Sequence, residues 1–290
     1  MTFSLQIILY LFLGGTCGGM LFSSCIWWLA ENRHGRKSSV RRSFAFRQLF
    51  ARCLIVGFLG LAMAALCLLW DLGKPSRALL LFFSPSGAIL SWGAYFLGAE
   101  LAVVAFLGAA FVSDLRVPTA IVRVSIAACA ALSAAVFAYT GVYLYSLEAV
   151  AFWHFPAILA VFVFASLSAG FSLMLLIAYF SPDADEVLQA AKPLQRAHLA
   201  AITAETASIS WLLTQQAASD ACSKSFAMLT GPSMLPLSII GIGAFAIVAP
   251  FCLELSSLLS RTHRNIPGSD VLCLAGSLIL RYVIVSCGGH

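Results

Sequence analysis

Charged residues are scarce in this chain and make up only 10% of its 290 residues, whereas soluble domains carry roughly 25%. Apolar residues make up 61%. A chain of this composition cannot cover itself with a polar surface, which excludes an ordinary soluble enzyme and predicts a protein that crosses a membrane many times. The first 30 residues contain no Lys or Arg, so they lack the basic start of a cleavable signal peptide and we expect a retained helix there.

Motifs of resident redox centres are also missing. The nine cysteines form no C-x-x-C pair, and an iron–sulfur cluster needs four closely grouped thiolates. Four of the five histidines fall in predicted loops or at the terminus, and His198 lies at the edge of a predicted helix, which does not favour a haem held between helices. No P-loop, dinucleotide-binding fingerprint or zinc motif occurs. We therefore expect neither haem nor an iron–sulfur cluster in this chain.

Eight apolar runs reach the roughly 20 residues that a helix needs to span a bilayer. They are continuous and rich in Leu, Ala and Phe, which favours helices over the alternating strands of a closed barrel. The prediction is an all-α, polytopic integral membrane protein with eight transmembrane helices in two four-helix bundles, one membrane domain over 1–290 with halves 1–146 and 147–290. The predicted helices lie near 4–30, 49–70, 89–112, 118–146, 154–180, 198–217, 234–258 and 270–287. The connections are too short for a globular domain, so soluble chemistry would belong to another chain.

Basic residues are divided unevenly between the two sets of loops. One set carries only Lys74, Arg77 and Lys224, and Arg281 lies inside the last helix. The opposite set carries thirteen, Arg33, Arg36, Lys37, Arg41, Arg42, Arg47, Arg52, Arg116, Arg123, Lys192, Arg196, Arg261 and Arg264. Because Lys and Arg accumulate in cytoplasmic loops, both termini and the loop 71–88 are predicted to lie outside. This topology accounts for the net charge of +5 without a nucleic-acid partner.

A few ionisable and small residues interrupt the apolar runs. Glu100, Glu205 and Arg281 fall within predicted helices, where an ionisable group costs several kcal/mol unless it is paired or hydrated. Either Arg281 pairs with a glutamate and holds the bundle together, or these residues line a proton path. The GGTCGG segment 14–19 of the first helix allows close approach either of a neighbouring helix or of a ligand ring.

Polar and aromatic residues gather on the predicted outer side. They are Gln6, Tyr10, Asp71, Trp92, Tyr139 and His154. Tyr and Trp populate the interface of any membrane protein, but an interfacial belt needs no Asp and no Gly-Pro loop beside it. A flat apolar ligand with two polar ends, such as a quinone, suits this mixture, because aromatic side chains hold a ring and hydroxyl or imidazole groups meet its oxygens.

The DLGKP segment 71–75 resembles the DLGRP motif of the NrfD/PsrC family, the membrane subunits of polysulfide-reductase-type complexes. The likeness continues through SPSGAILSWG at 84–93, the Gly-rich first helix, YTG at 139–141, the run 152–170 and LRYVIVSCG at 280–288, in order along most of the chain.

The resemblance implies a membrane anchor of bacterial or archaeal cytoplasmic membranes that exchanges electrons between menaquinone or ubiquinone and a partner on the outer face. That partner would be a four-cluster ferredoxin-like iron–sulfur subunit, completed by a molybdopterin catalytic subunit. It implies that Tyr139 donates a hydrogen bond to the quinone and that Tyr10 stands where a relative has a quinone-contacting histidine. Beyond the resemblance, we expect Asp71, through water and His154, to accept protons, and Lys74 and Arg77 either to neutralise Asp71 or to dock an acidic partner surface.

Two other functions stay open. An ion- or proton-translocating transporter is compatible with ionisable residues inside the bundle, although the halves show no clear repeat. A purely structural anchor would bind no quinone. In every case this chain alone has no catalytic turnover.

Overall fold

The computed structural model describes residues 5–33, 40–71, 89–113, 117–147, 150–181, 192–219, 227–232, 234–259 and 267–288. Within these ranges the chain forms helices and no strand. The helices are α1 Leu5–Arg33, α2 Val40–Asp71, α3 Ile89–Val112, α4 Thr119–Tyr145, a 3₁₀ turn Ala151–Trp153, α5 Ala157–Tyr179, α6 Lys192–Ala217, α7 Leu237–Leu259 and α8 Pro267–Gly288. The all-helical prediction is therefore confirmed for the described residues.

Each predicted apolar run overlaps one of these helices. Seven of them are long and apolar enough to cross a membrane, and α6 is the more polar one. The polar residues of α6 are largely buried against its neighbours, among them Gln195, His198, Glu205 and Gln216. A polar helix face of this kind is stable in a membrane when it faces the bundle interior. The count of eight spanning helices and the outside position of the termini stay predictions.

The helices associate as two rings of four. In the first, α1 packs on α2, α2 on α3, α3 on α4, and α4 returns to α1. In the second, α5 packs on α6, α6 on α7, α7 on α8, and α8 returns to α5. The rings meet where α1 contacts α5 and α8 and where α4 contacts α5. Helix α1 therefore belongs to the first ring and also borders the second.

Small residues allow α1 and α5 to cross in backbone contact. A methyl group on Gly170 would stand 2.8 Å from the α-carbon of Gly19, closer than real β-carbon contacts. Gly18 faces the backbone oxygen of Ser133 on α4, 3.3 Å from the position of a β-carbon. The GGTCGG segment therefore serves helix packing, which is the usual use of small residues between transmembrane helices.

Helix α7 begins with an unusual backbone. Residues Leu237–Val248 form a π-helix, and Ala249–Leu259 continue as an α-helix. The helix packs closely on α8, where a methyl group on Gly276 would meet the backbone and side chain of Ala246. π-Helical segments are rare, commonly limited to one turn, and frequent near functional sites. The sequence predicted a helix over 234–258 but not this change of hydrogen-bond register.

Candidate functional site

Three tyrosines meet at one end of the first ring. Tyr139 and Tyr143 lie one turn apart on α4, and their rings stack with centroids 6.1 Å apart. Tyr10 of α1 is close enough to interact electrostatically with both. Tyr10 and Tyr139 are buried, and the hydroxyl of Tyr139 makes no hydrogen bond with any described residue. A buried phenol of this kind is a ready donor for a ligand oxygen.

Gly93 of α3 forms one wall against Tyr139. A methyl group added to Gly93 would stand 2.6 Å from the phenolic oxygen, so the backbone of α3 lies directly against the tyrosine ring. Its neighbour Trp92 is 58% exposed and packs edge-to-face on Tyr95 and beside Phe96. In the SWG motif it is therefore the glycine, and not Trp92, that faces the tyrosine.

The remaining predicted quinone-site residues lie on neighbouring elements. Asp71 ends α2, is exposed and interacts electrostatically with Tyr143. His154 is also exposed, and its ring stacks flat on Tyr145, with centroids 5.1 Å apart. Gln6 is half-buried one turn before Tyr10. The predicted docking residues Lys74 and Arg77 lie outside the described residues.

A second polar site occupies the interior of the second ring and borders α1. The guanidinium of Arg281 donates to the hydroxyl of Ser166 on α5 at 2.9 Å and to the backbone oxygen of Ser277 at 3.0 Å. Gly15 of α1 leaves room for it, because a β-carbon there would stand 2.6 Å from the Nη2 atom. Glu205 of α6 interacts electrostatically with Arg281 and with the hydroxyl of Ser168.

This polar row continues from Ser168 to a buried histidine. The hydroxyl of Ser168 lies 3.3 Å from the sulfur of Cys273, which lies 3.7 Å from Nε2 of His198. Ser172 also contacts this nitrogen, at 3.0 Å. The other ring nitrogen, Nδ1, contacts a carboxylate oxygen of Glu254 on α7.

Three potential ligand atoms therefore meet at the far end of the row. His198, Glu254 and Asp270 each offer one such atom, all within 4.8 Å of one another. The three side chains belong to α6, α7 and α8, and all are at most 4% exposed. We call them the His198 cluster.

Comparison of the sequence with known protein families gives a match that includes all the helices of both rings. The profile of the family described as "Polysulphide reductase, NrfD" matches residues 1–290. The chain belongs to the polysulphide reductase NrfD family. No curated protein sequence matches it. The resemblance based on the DLGKP and SWG motifs is thereby confirmed. Membership in the NrfD family indicates a multi-pass membrane subunit associated with a quinone-linked reductase complex.

In this NrfD-family chain the predicted path residues fall in separate places. Arg281 and Glu205 interact within the second ring. Glu100 of α3 is fully buried in the first ring, where the hydroxyl of Ser133 donates to it at 2.5 Å. Arg281 thus has Glu205 as an electrostatic partner and Glu100 has Ser133, and both the structural pair and the proton path stay predictions.

Sequence reasoning missed Tyr143 and the His198 cluster. Tyr143 lies four residues after Tyr139, and that spacing places both on one helix face, so the signal was present. His198 was predicted at a helix edge, but α6 begins at Lys192, with Pro193 in the first turn, a position that proline favours. His198 is therefore buried inside the bundle. Glu254 of α7 is also buried and contacts His198.

Proposed function

We propose that this chain is the quinone-interacting membrane anchor of a multi-subunit oxidoreductase, and that it couples the quinone pool to an iron–sulfur partner subunit at the outer face. In the proposed complex the partner is a four-cluster ferredoxin-like subunit, and a molybdopterin subunit carries out the terminal reaction. The chain lies in the cytoplasmic membrane of a bacterium or archaeon. The direction of electron flow follows the terminal substrate, which the missing subunit selects.

The observation that carries the proposal is the meeting of Tyr10, Tyr139 and Tyr143 beside Gly93. Stacked aromatic rings beside the bare backbone of a glycine suit a flat ring system. The buried hydroxyl of Tyr139 has no hydrogen-bond partner among the described residues, and leaving such a group unsatisfied costs about 1–3 kcal/mol. A ligand carbonyl oxygen would accept its hydrogen bond. These features fit a quinone head group better than they fit a lipid chain.

Quinol, when bound, supplies two electrons and two protons. In the proposal Tyr139 holds one oxygen of the ring, and Tyr10, which interacts electrostatically with Tyr139, is the second donor. Asp71 is exposed at the end of α2 and interacts with Tyr143, so it can receive a proton and pass it to water. Lys74 and Arg77 follow Asp71 in the sequence and are proposed to meet an acidic surface of the partner.

The experiment that tests this proposal compares quinol oxidation by the assembled complex carrying Tyr139→Phe or Asp71→Asn. Tyr139→Phe removes only the donor oxygen, so we expect quinol turnover to fall while assembly stays intact. Tyr179→Phe is the matched control, because Tyr179 is a partly exposed tyrosine at the end of α5, outside the tyrosine group. Unchanged turnover in both test variants would leave the structural anchor as the function.

A second candidate activity, proton translocation, is supported by the row from Arg281 to the His198 cluster. Its hydroxyl, thiol and imidazole groups lie 3.0 to 3.7 Å apart, and the Glu205 carboxyl interacts with Ser168 and Arg281 at its other end. Protons can move along hydrogen bonds between such groups. We propose that this row carries protons within the second ring, whereas Glu100 serves the packing of the first ring.

A further inference from the structure

We propose that the His198 cluster is a binding site for one divalent transition-metal ion of the zinc class, held by His198, Glu254 and Asp270. The proposal does not rest on quinone binding, because the cluster lies in the second ring and shares no residue with the tyrosine group.

The geometry of the cluster is that of a ligand set. One imidazole and two carboxylates, each on a different helix, place one potential ligand atom apiece within 4.8 Å of the others. Two ligand atoms of a tetrahedral zinc ion stand about 3.3 Å apart, since each bond is about 2.0–2.1 Å long. Small side-chain rotations would bring the three ligand atoms from within 4.8 Å of one another to this spacing. A metal ion would replace the direct contact between His198 and Glu254 with two bonds to one centre.

The second oxygen of Glu254 independently points to a ligand. This Oε2 atom is buried and accepts no hydrogen bond from any described residue, although its carboxylate partner atom contacts His198. A simple imidazole–carboxylate pair would leave that acceptor unsatisfied in the interior, where such a group is costly. Coordination of a cation satisfies an acceptor that has no donor.

The donor types select the class of ion. Imidazole nitrogen suits zinc, copper, nickel and iron, whereas magnesium and calcium prefer sites made only of oxygen. Cys273 lies 3.7 Å from the opposite ring nitrogen, Nε2, and is therefore not part of the ligand set. Zinc binds both imidazole nitrogen and carboxylate oxygen, so it accepts each donor type in the cluster.

The surroundings of His198 are those of an oriented ligand. Ser172 of α5 contacts one ring nitrogen at 3.0 Å, and a ligating histidine ordinarily has its other nitrogen fixed by such a partner. The site thus joins α6, α7 and α8 directly and α5 through Ser172. Bound metal would stabilise the second ring as a unit, because an ion that binds only the folded state raises the midpoint of thermal unfolding.

The test uses the full chain purified with its complex, stripped of loosely held metal with a chelator and then supplied with equimolar Zn²⁺. Elemental analysis after gel filtration is expected to give one more zinc per chain in the wild type than in Glu254→Gln, His198→Gln or Asp270→Asn. Glu31→Gln is the matched control, because Glu31 lies at the end of α1 outside the cluster, and it should retain the wild-type zinc content. Zn²⁺ should also raise the thermal unfolding midpoint of the wild type and of Glu31→Gln alone.

The result that would overturn the proposal is equal zinc content in the wild type and in all three cluster variants, or loss of zinc in Glu31→Gln to the same extent. If a cluster variant does not fold, the wild type decides alone. Co²⁺ added to it should produce the visible absorption of a low-symmetry, four-coordinate site, and one equivalent of Zn²⁺ should abolish that absorption. Wild-type protein that shows no such spectrum and no Zn²⁺-dependent shift in unfolding holds no metal here.

Discussion

The phenolic oxygen of Tyr139 lies against Gly93, so close that a methyl group on the glycine would stand 2.6 Å from it. The two residues come from α4 and α3, and the contact is possible only because residue 93 has no side chain. In the proposed quinone site the same absence lets the tyrosine ring rest against the backbone of α3, which fixes the position of its hydroxyl.

Gly93→Ala is therefore expected to impair quinol oxidation. Overpacking by one methyl group costs about 1–3 kcal/mol, which, if it all falls on the transition state, lowers kcat/KM by about 5- to 140-fold, at tenfold for each 1.4 kcal/mol. The effect should appear mainly in KM, because Tyr139 is displaced rather than removed. Steady-state kinetics of the assembled complex measure it. Gly108→Ala in the same helix is the control, since a methyl group there meets nothing within 4 Å, and equal kinetics of the two variants would contradict the role of Gly93.

Gly170→Ala is expected to destabilise the contact between the two rings. The new methyl group would meet the backbone of α1 at Gly19, and backbone cannot move aside as a side chain can. A cost of about 1–3 kcal/mol corresponds to a fall of about 2–10 °C in the unfolding midpoint. Thermal unfolding in detergent measures this change. Gly108→Ala should be neutral or slightly stabilising, because Ala favours a helix over Gly, and a Gly170→Ala protein as stable as that control would refute the packing argument.

The glycine segment shows what the sequence could and could not predict. Its spacing indicated close approach but left the partner open, because a helix and a ligand ring need the same small residues. Only the fold shows that Gly19 meets Gly170 and that Gly15 meets Arg281. The long apolar helices could be predicted, because their signal is local and strong. The His198 cluster could not be, since it is assembled from three helices far apart in the sequence.

Arg281 and Glu205 are expected to behave as a coupled pair. Arg281→Met should leave Glu205 without its nearby cation, and breaking one side of a buried pair costs about 3–5 kcal/mol. Arg281→Met combined with Glu205→Gln should recover part of that loss, because no buried charge then remains unpaired. Unfolding of the two single variants and the double variant in detergent gives the coupling energy as a double-mutant cycle. Additive losses would show that the two side chains act independently.

Proton movement by the reconstituted complex provides a test of the polar row itself. In sealed vesicles the wild type is expected to move protons beyond those that quinol oxidation releases, because the row from Arg281 to His198 offers exchangeable groups within the second ring. Glu205→Gln should remove this extra movement while quinol oxidation continues, since an amide cannot bind and release a proton at neutral pH and Glu205 lies outside the tyrosine group. Ser208→Ala is the matched control, because the hydroxyl of Ser208 donates its hydrogen bond to the backbone oxygen of Glu205 on the same helix. A wild type that moves only the protons of quinol would show that the row is structural, and the Arg281–Glu205 interaction would then serve the stability of the second ring alone.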